Sequence, residues 1–473
     1  MTNNLLVIMS DEHQSRALGC AGHFVRTPHL DALATRGTRF TNAYTPSPIC
    51  VPARAAFATG RYAHQNRLWD NAMPYTGDIP GWGHALQSAG VRVESIGKLH
   101  YRAEEDPAGF DVEHIPMMVA NGVGMVWASI RKEDERVAMP GRMLGDYIGP
   151  GESKYTEYDQ AVTDRTCAWL AEAPAEPWCL YVGLVAPHFP LVVPPEYFDL
   201  YPESVLPAPK LHPTDGHPRH PWVEKQFGLD RSEDKFKDPA ERIAAMSAYY
   251  GLCTWLDYNV GRIMEALGAA GLVDNTTVVY TSDHGDNVGA RGLWGKSNMY
   301  EESVAVPMIV ARPGQAGSTS ATPVSLLDLS TTIPAHFGVE FENPGPGQSL
   351  YSLADSEDHP ERAVFSEYHA AGAVSGAFML RKGRWKLIHY VGFEPELFDL
   401  AGDPEELRNR AGDTDCADVL AKLTSELRNI CNPEAMDALA HADQAAMVEG
   451  YGGREAALKL GARAATPPPN LSA

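Results

Sequence analysis

"TTVVYTSDHGD", residues 276–286, is an apolar, β-branched run that stops abruptly at Asp283, His284 and Asp286. Such a run suits a strand buried on both faces, and strands of that kind belong to a sheet with helices on either side. The charged residues then fall beyond the strand's carboxyl end, where open α/β sheets bind their ligands. Three other stretches share the habit: "LLVIMSDE" (5–12) ends in Asp11 and Glu12, "VRVESIGKLH" (91–100) in Lys98 and His100, and "CLYVGLVAPH" (179–188) in His188. Lys296 follows the first stretch by one short loop. Carboxylates gathered in one cleft repel one another unless a divalent cation lies between them, and Lys, His and Arg opposite suit an anion. Singly, an Asp-His pair describes a helix cap with a core histidine just as well, and a single Lys is ordinarily a solvated charge.

Working outward, β-type runs alternate with helical ones, which predicts an α/β fold: a large mixed β-sheet sandwiched between helices. Helices are predicted over 28–37, 83–90, 238–271 and 324–338, several with Pro at the start and Gly at the end. From about residue 360 the pattern changes to short strands, "AVFSEY", "GAFMLRKGRWKLIHY" with a turn near Lys382 and Gly383, and "ELFDL", followed by a helix near 416–430. We therefore divide the chain into a catalytic α/β domain (1–355), a smaller C-terminal antiparallel sheet plus helix (356–430), and an extension (431–473). The extension ends in "ATPPPNLSA", which reads as a disordered tail or an oligomerisation arm laid on a neighbouring subunit.

Of the 473 residues, 44% are hydrophobic and 21% charged, enough apolar material for a sizeable core. A net charge of −22 argues against nucleic acid as a partner, because a phosphate backbone needs a basic face. No apolar run approaches the roughly 18 residues a membrane span needs, so no membrane partner is expected. "MTNNLLVIMSDEHQ" reads as a first strand and not a signal peptide, and the seven scattered cysteines fit a reducing compartment; both predict a cytoplasmic protein.

"SPICVPARAAFATGRYAHQN" (47–66) places Cys50 just ahead of a helical run. Backbone N–H groups and the helix dipole favour an anion there, so a reactive thiol is one reading; a small buried apolar residue is the other. A cysteine-dependent phosphatase loop requires an arginine six residues after its cysteine, and that position is Ala56.

Taken together and in order, these motifs resemble the formylglycine-dependent sulfatases of the alkaline phosphatase superfamily, near the choline-sulfatase-like and phosphonate monoester hydrolase branches. "CVPAR" resembles the Cys-x-Pro-Ser-Arg motif, "FATGRY" its extension, "GKLH" the Gly-Lys-x-His motif, and "ELFDLAGDPEE" a C-terminal signature. The resemblance implies that a formylglycine-generating enzyme oxidises Cys50 to formylglycine, whose hydrate attacks the sulfur of a small alkyl or aryl sulfate monoester. It also implies that Asp11, Glu12, Cys50, Asp283 and His284 bind one divalent metal, that Arg54 steadies the diol, and that Lys98 bridges it to sulfate. His100 then takes a proton as the intermediate breaks down, and His188 and Lys296 hold the sulfate and serve the leaving group. A dimer or tetramer and some phosphate-diester activity are implied as well.

Three positions depart from the common pattern: Ala53 replaces serine, Glu12 replaces Asp or Gln, and His284 replaces Asn. An imidazole ligand brings manganese into consideration beside calcium and magnesium. Trp69, Asp70 and Asn71, in "HQNRLWDN", are candidates to line the substrate pocket. Two alternatives stand beside the sulfatase reading: a phosphonate monoester or phosphodiester hydrolase with the same nucleophile, and a non-catalytic anion-binding relative.

Overall fold

The computed structural model describes residues 4–139, 141–175, 177–342, 345–461 and 465–471. Its main sheet has eight strands: β1 (Asn4–Asp11), β2 (Thr38–Phe40), β3 (Arg92–Lys98), β4 (Val112–Met117), β5 (Trp178–Pro187), β6 (Thr276–Ser282), β7 (Met308–Ala311) and β8 (Ser318–Ser320). Their spatial order is β8-β2-β7-β6-β1-β5-β3-β4. β4, β3, β5, β1 and β6 run parallel, and β7 is antiparallel to β6. The sheet is thus mixed, with β1 near its centre.

Alternation along β1 shows why the run is apolar throughout. Leu6 and Ile8 join the core on one face, with Leu180 and Val182 of β5, while Leu5, Val7 and Met9 join the core on the other. The first face is covered by α1 (Pro28–Ala34), and the second by α2 (Cys50–Thr59) and α3 (Trp82–Ser88). The first also receives α4 (Lys154–Ala171), and α5 (Pro221–Asp230) leads toward the long α6 (Pro239–Ala269), which packs there too. The second face is completed by α7 (Leu326–His336). α6 begins as its sequence predicts: Asp238 accepts from the Glu241 N–H at 2.9 Å, and Pro239 occupies the first turn. Among the described residues, no helix is long and apolar enough to cross a membrane.

The smaller sheet is antiparallel, β9 (Val364–Tyr368), β10 (Ala377–Lys382), β11 (Trp385–Tyr390) and β12 (Glu396–Asp399) in that order. Lys382 pairs with Trp385, so the predicted turn contains only two residues, and Gly383 takes the left-handed φ of 58° that such a turn demands. Helix α8 (Ala417–Ile430) lays Leu423 and Leu427 on Phe378 and Leu387 of this sheet.

The described part of the extension folds onto its own chain. Within it, α9 (Pro433–Gly450) packs on its own chain, where Gln444 Nε2 donates to Asp70 Oδ2 at 2.6 Å. Further on, the Tyr155 hydroxyl donates to the Thr466 carbonyl at 2.5 Å, which brings residues 465–466 back to the mouth of the main sheet. Buried polar partners on the same chain are what hold these segments. Residues 1–3 and 472–473, the ends of the chain, lie outside the described residues.

Candidate active site

The carboxyl ends of β1, β3, β5 and β6 converge, as the sequence predicts. Asp11, Cys50, Asp283 and His284 each present a ligand atom within 4.8 Å of the others, and all four are buried. Cys50, the first residue of α2, has Sγ 3.2 Å from His284 Nε2 and 3.6 Å from Asp11 Oδ1. Its helix start is aimed by Asn71, whose Oδ1 accepts from the Val51 N–H at 3.2 Å.

Position alone suggests an activated thiol, yet burial, reinforced by the Asp11 carboxylate, pushes the Cys50 thiol up.

Arg54, one turn along α2, is buried with its guanidinium fully used. Nε donates to Asp283 Oδ2 at 2.8 Å, one terminal nitrogen to the Lys98 carbonyl and the Tyr181 hydroxyl, both at 2.9 Å, and the other lies 3.4 Å from Asp11 Oδ2. Lys98 Nζ approaches the same Asp11 oxygen at 2.5 Å. Burial alone would raise the Asp11 carboxyl, but Lys98, His188 and Arg54 hold it well below the usual carboxylate range. Arg54 thus orients both acids of the cluster and touches the strand end that carries Lys98.

The remaining predicted groups surround this cluster. His100 and His188 are both held well below the ordinary imidazole value, chiefly by burial, with Lys98 adding to the first and Lys296 to the second. Lys296 Nζ donates to Glu12 Oε2 at 2.8 Å and sits 4.7 Å from the centre of the Phe189 ring; burial opposes its charge, but Cys50, Glu12 and Asp11 raise it. Cys50, Asn71, Lys98, His100, His188 and Lys296 line one pocket.

Three expectations are refined. Glu12 lies outside the four-residue cluster: with Asp11 and His188 it forms a second close group, and Lys296 takes its Oε2. Trp69 and Asp70 do not line the pocket, which corrects their assignment. The Trp69 indole donates to Asp443 at 2.8 Å, and Asp70 accepts from Ser129 and Gln444, both at 2.6 Å, so both residues fasten α9 to the body of the protein. Asn71 alone of the three reaches the pocket.

Other residues at the site carry no motif. Asp159 of α4 accepts from the Val185 and Ala186 N–H groups, each at 2.7 Å, and so fixes the end of β5 that delivers His188. Thr466 Oγ1 lies 2.8 Å from His100 Nε2. Glu12 and His100 adopt left-handed backbone angles, φ 70° and 59°, a strain that concentrates at functional sites.

The donor set fits a divalent cation. Two buried carboxylates and an imidazole nitrogen face one another, and Glu12 Oε1 nearby is buried with no hydrogen-bond partner. A mixed sheet with helices on both faces, an appended antiparallel sheet and a buried acid-imidazole cluster at the strand ends define an alkaline-phosphatase-like fold. Residues 3–339 match the family model described as "Sulfatase", and residues 289–432 match "N-sulphoglucosamine sulphohydrolase, C-terminal". The chain belongs to the sulfatase family.

It is 33% identical over 426 residues to a choline-sulfatase of Rhizobium meliloti (strain 1021), covering 86% of this chain and 82% of that one. It is 29% identical over 472 residues to arylsulfatase K of Danio rerio, covering 93% and 85%. Its fold is also that of the phosphonate monoester hydrolase of Agrobacterium radiobacter, with a TM-score of 0.75, 24% identity, and coverage of 93% and 96%.

Proposed function

We propose that the protein hydrolyses a small alkyl or aryl sulfate monoester to an alcohol and sulfate, with formylglycine made from Cys50 as nucleophile. The observation that carries this reading is that Cys50 opens into the same pocket as Lys98, His100, His188 and Lys296, with Asp11 and His284 behind it. Cys50 is only 1% exposed, so the formylglycine-generating enzyme acts on the chain before it folds.

In the hydrated aldehyde, one hydroxyl gives up its proton to the neighbouring carboxylate pair of Asp11 and Asp283 and its oxygen attacks sulfur, the bond from sulfur to the alcohol oxygen breaks, and the sulfuryl group (SO3) passes to the diol oxygen. Lys98, His188 and Lys296 hold the sulfate oxygens, and His188 and Lys296 supply the charge and proton that the departing alkoxide requires. His100 takes the proton of the second hydroxyl. The carbon–oxygen bond to sulfate then breaks, the aldehyde is restored, and water rehydrates it. A divalent cation (calcium, manganese or magnesium) held by Asp11, Asp283, His284 and residue 50, with Glu12 beside it, supplies Lewis acidity when bound.

The test is release of inorganic sulfate from 4-nitrophenyl sulfate and an n-alkyl sulfate by protein coexpressed with a formylglycine-generating enzyme. Cys50→Ala is expected to lower turnover by at least about 10³-fold while the protein still folds. Cleavage of bis(4-nitrophenyl) phosphate in preference to every sulfate ester would favour the phosphodiesterase reading instead.

A further inference from the structure

Besides its catalytic cations and histidines, the pocket is lined by Met125, Met139, Met143, Phe227 and Leu229, an apolar group beside which stand the polar side chains of Gln226 on α5, Asp230, Arg231 and Ser232. Gln226 is 8% exposed. Its amide nitrogen donates to the Ala371 carbonyl at 2.9 Å and lies 3.2 Å from the Tyr368 hydroxyl. That hydroxyl donates its own proton to the Ala371 carbonyl at 3.3 Å, so it accepts from Gln226. Both amide protons are thereby spent and the amide cannot turn over. Its Oε1 is left buried with no partner.

A buried acceptor without a donor is costly, and one lining a substrate pocket is satisfied when a ligand brings the donor. Asp230, an acid in the same lining, accepts from Ser232, and Lys235 Nζ stands 3.7 Å from its Oδ1, which balances the charge although Oδ1 itself makes no hydrogen bond. Arg231 beside it is paired with Asp234 at 2.7 Å. No uncompensated charge on this wall calls for a charged organic group.

We infer that Gln226 Oε1 is a specificity-determining acceptor for a hydroxyl carried on the otherwise apolar organic part of the ester, an inference that rests on the sulfatase reading above. The substrate class is the monosulfate of a small apolar molecule with a second hydroxyl. The sign of the effect is diagnostic. In a purely apolar pocket an added hydroxyl loses water and gains nothing, so the plain ester would be preferred. With Gln226 waiting, the hydroxylated ester wins.

The experiment compares kcat/KM for n-alkyl sulfates, ω-hydroxyalkyl sulfates and ω-ammonioalkyl sulfates of matched length, in the formylglycine-bearing wild type and in Gln226→Met. At the chain length that spans the pocket, the hydroxylated ester is expected to exceed the plain one by about tenfold or more, and Gln226→Met to bring that ratio to one or below. A wild-type ratio at or below one at every length overturns the inference, and this arm decides even where the variant does not fold. Preference for the ammonium esters, or a ratio unchanged in a folded Gln226→Met, overturns it as well. Failure of every ester with formylglycine present overturns the sulfatase reading and this inference together, which separates the two.

Discussion

Arg54 Nε donates to Asp283 Oδ2 at 2.8 Å, and neither side chain is more than 1% exposed. The pair links the helix that presents Cys50 to the end of the strand that presents Asp283, so the arginine is structural support and, in the proposed mechanism, orients the nucleophile as well. Burial opposes its charge, but Asp283, Tyr181 and Asp11 hold the guanidinium well above its ordinary value. Removing one partner leaves a buried charge uncompensated, at a cost of about 3–5 kcal/mol. Arg54→Leu is therefore expected to lose sulfatase turnover and to melt well below wild type by calorimetry.

His188 stands at the end of β5 with Nε2 3.4 Å from Glu12 Oε2. In the proposed mechanism it serves the leaving group, so the penalty for losing it grows as the alcohol becomes less acidic. His188→Ala should lower kcat/KM by about 10²-fold or more for an n-alkyl sulfate and far less for 4-nitrophenyl sulfate. Equal losses for both esters would assign the residue to binding alone.

Thr466 lies 366 positions from His100 in the chain and 2.8 Å from its ring nitrogen. His100 Nδ1 has no partner, so this contact is the ring's one polar restraint among the described residues. Thr466→Val frees the ring and slows the second half of the reaction. The measurement is a stopped-flow trace with 4-nitrophenyl sulfate: a burst of nitrophenol larger than in wild type, followed by steady turnover about tenfold slower. A residue that merely held the tail in place would not enlarge the burst.

Glu113, on β4, gives a pH dependence whose sign can be worked out. Burial, with Glu104 and Asp106 nearby, pushes its carboxyl from 4.5 to about 8. The folded chain then holds a proton that the unfolded chain has lost, so the associated stability is fully present below pH 4.5 and disappears as pH rises through about 8. Glu113→Gln is expected to melt like wild type near pH 4.5 and higher than wild type at pH 8, with thermal denaturation followed by circular dichroism.

The convergence of four strand ends was legible because each strand closes on charged residues, three of them after continuous runs of apolar and β-branched residues, while β3, with Arg92, Glu94 and Ser95 inside it, shares only the charged end. α6 was legible for a similar reason, through Asp238 and Pro239 at its start. What escaped the sequence was settled by tertiary contacts. Trp69, Asp70 and Asn71 are consecutive, yet Asp443 and Gln444 of α9 draw the first two away while Asn71 caps the Cys50 helix. Glu12 turns to Lys296, a loop residue that no local pattern pairs with it. Asp159 sits in the middle of a helix, where nothing marks it as the acceptor for the end of β5. The Cys50 thiol is pushed up because its helix start is buried beside Asp11, an environment the twenty residues around it do not contain.

The central claim concerns one side chain, and one measurement addresses it most directly: the mass of the tryptic peptide 40–54, from protein coexpressed with a formylglycine-generating enzyme. Conversion of the thiol to an aldehyde lowers that mass by about 18 Da, and the account predicts this loss, in step with sulfate release. A peptide of unaltered mass from protein that still hydrolyses sulfate esters would contradict it.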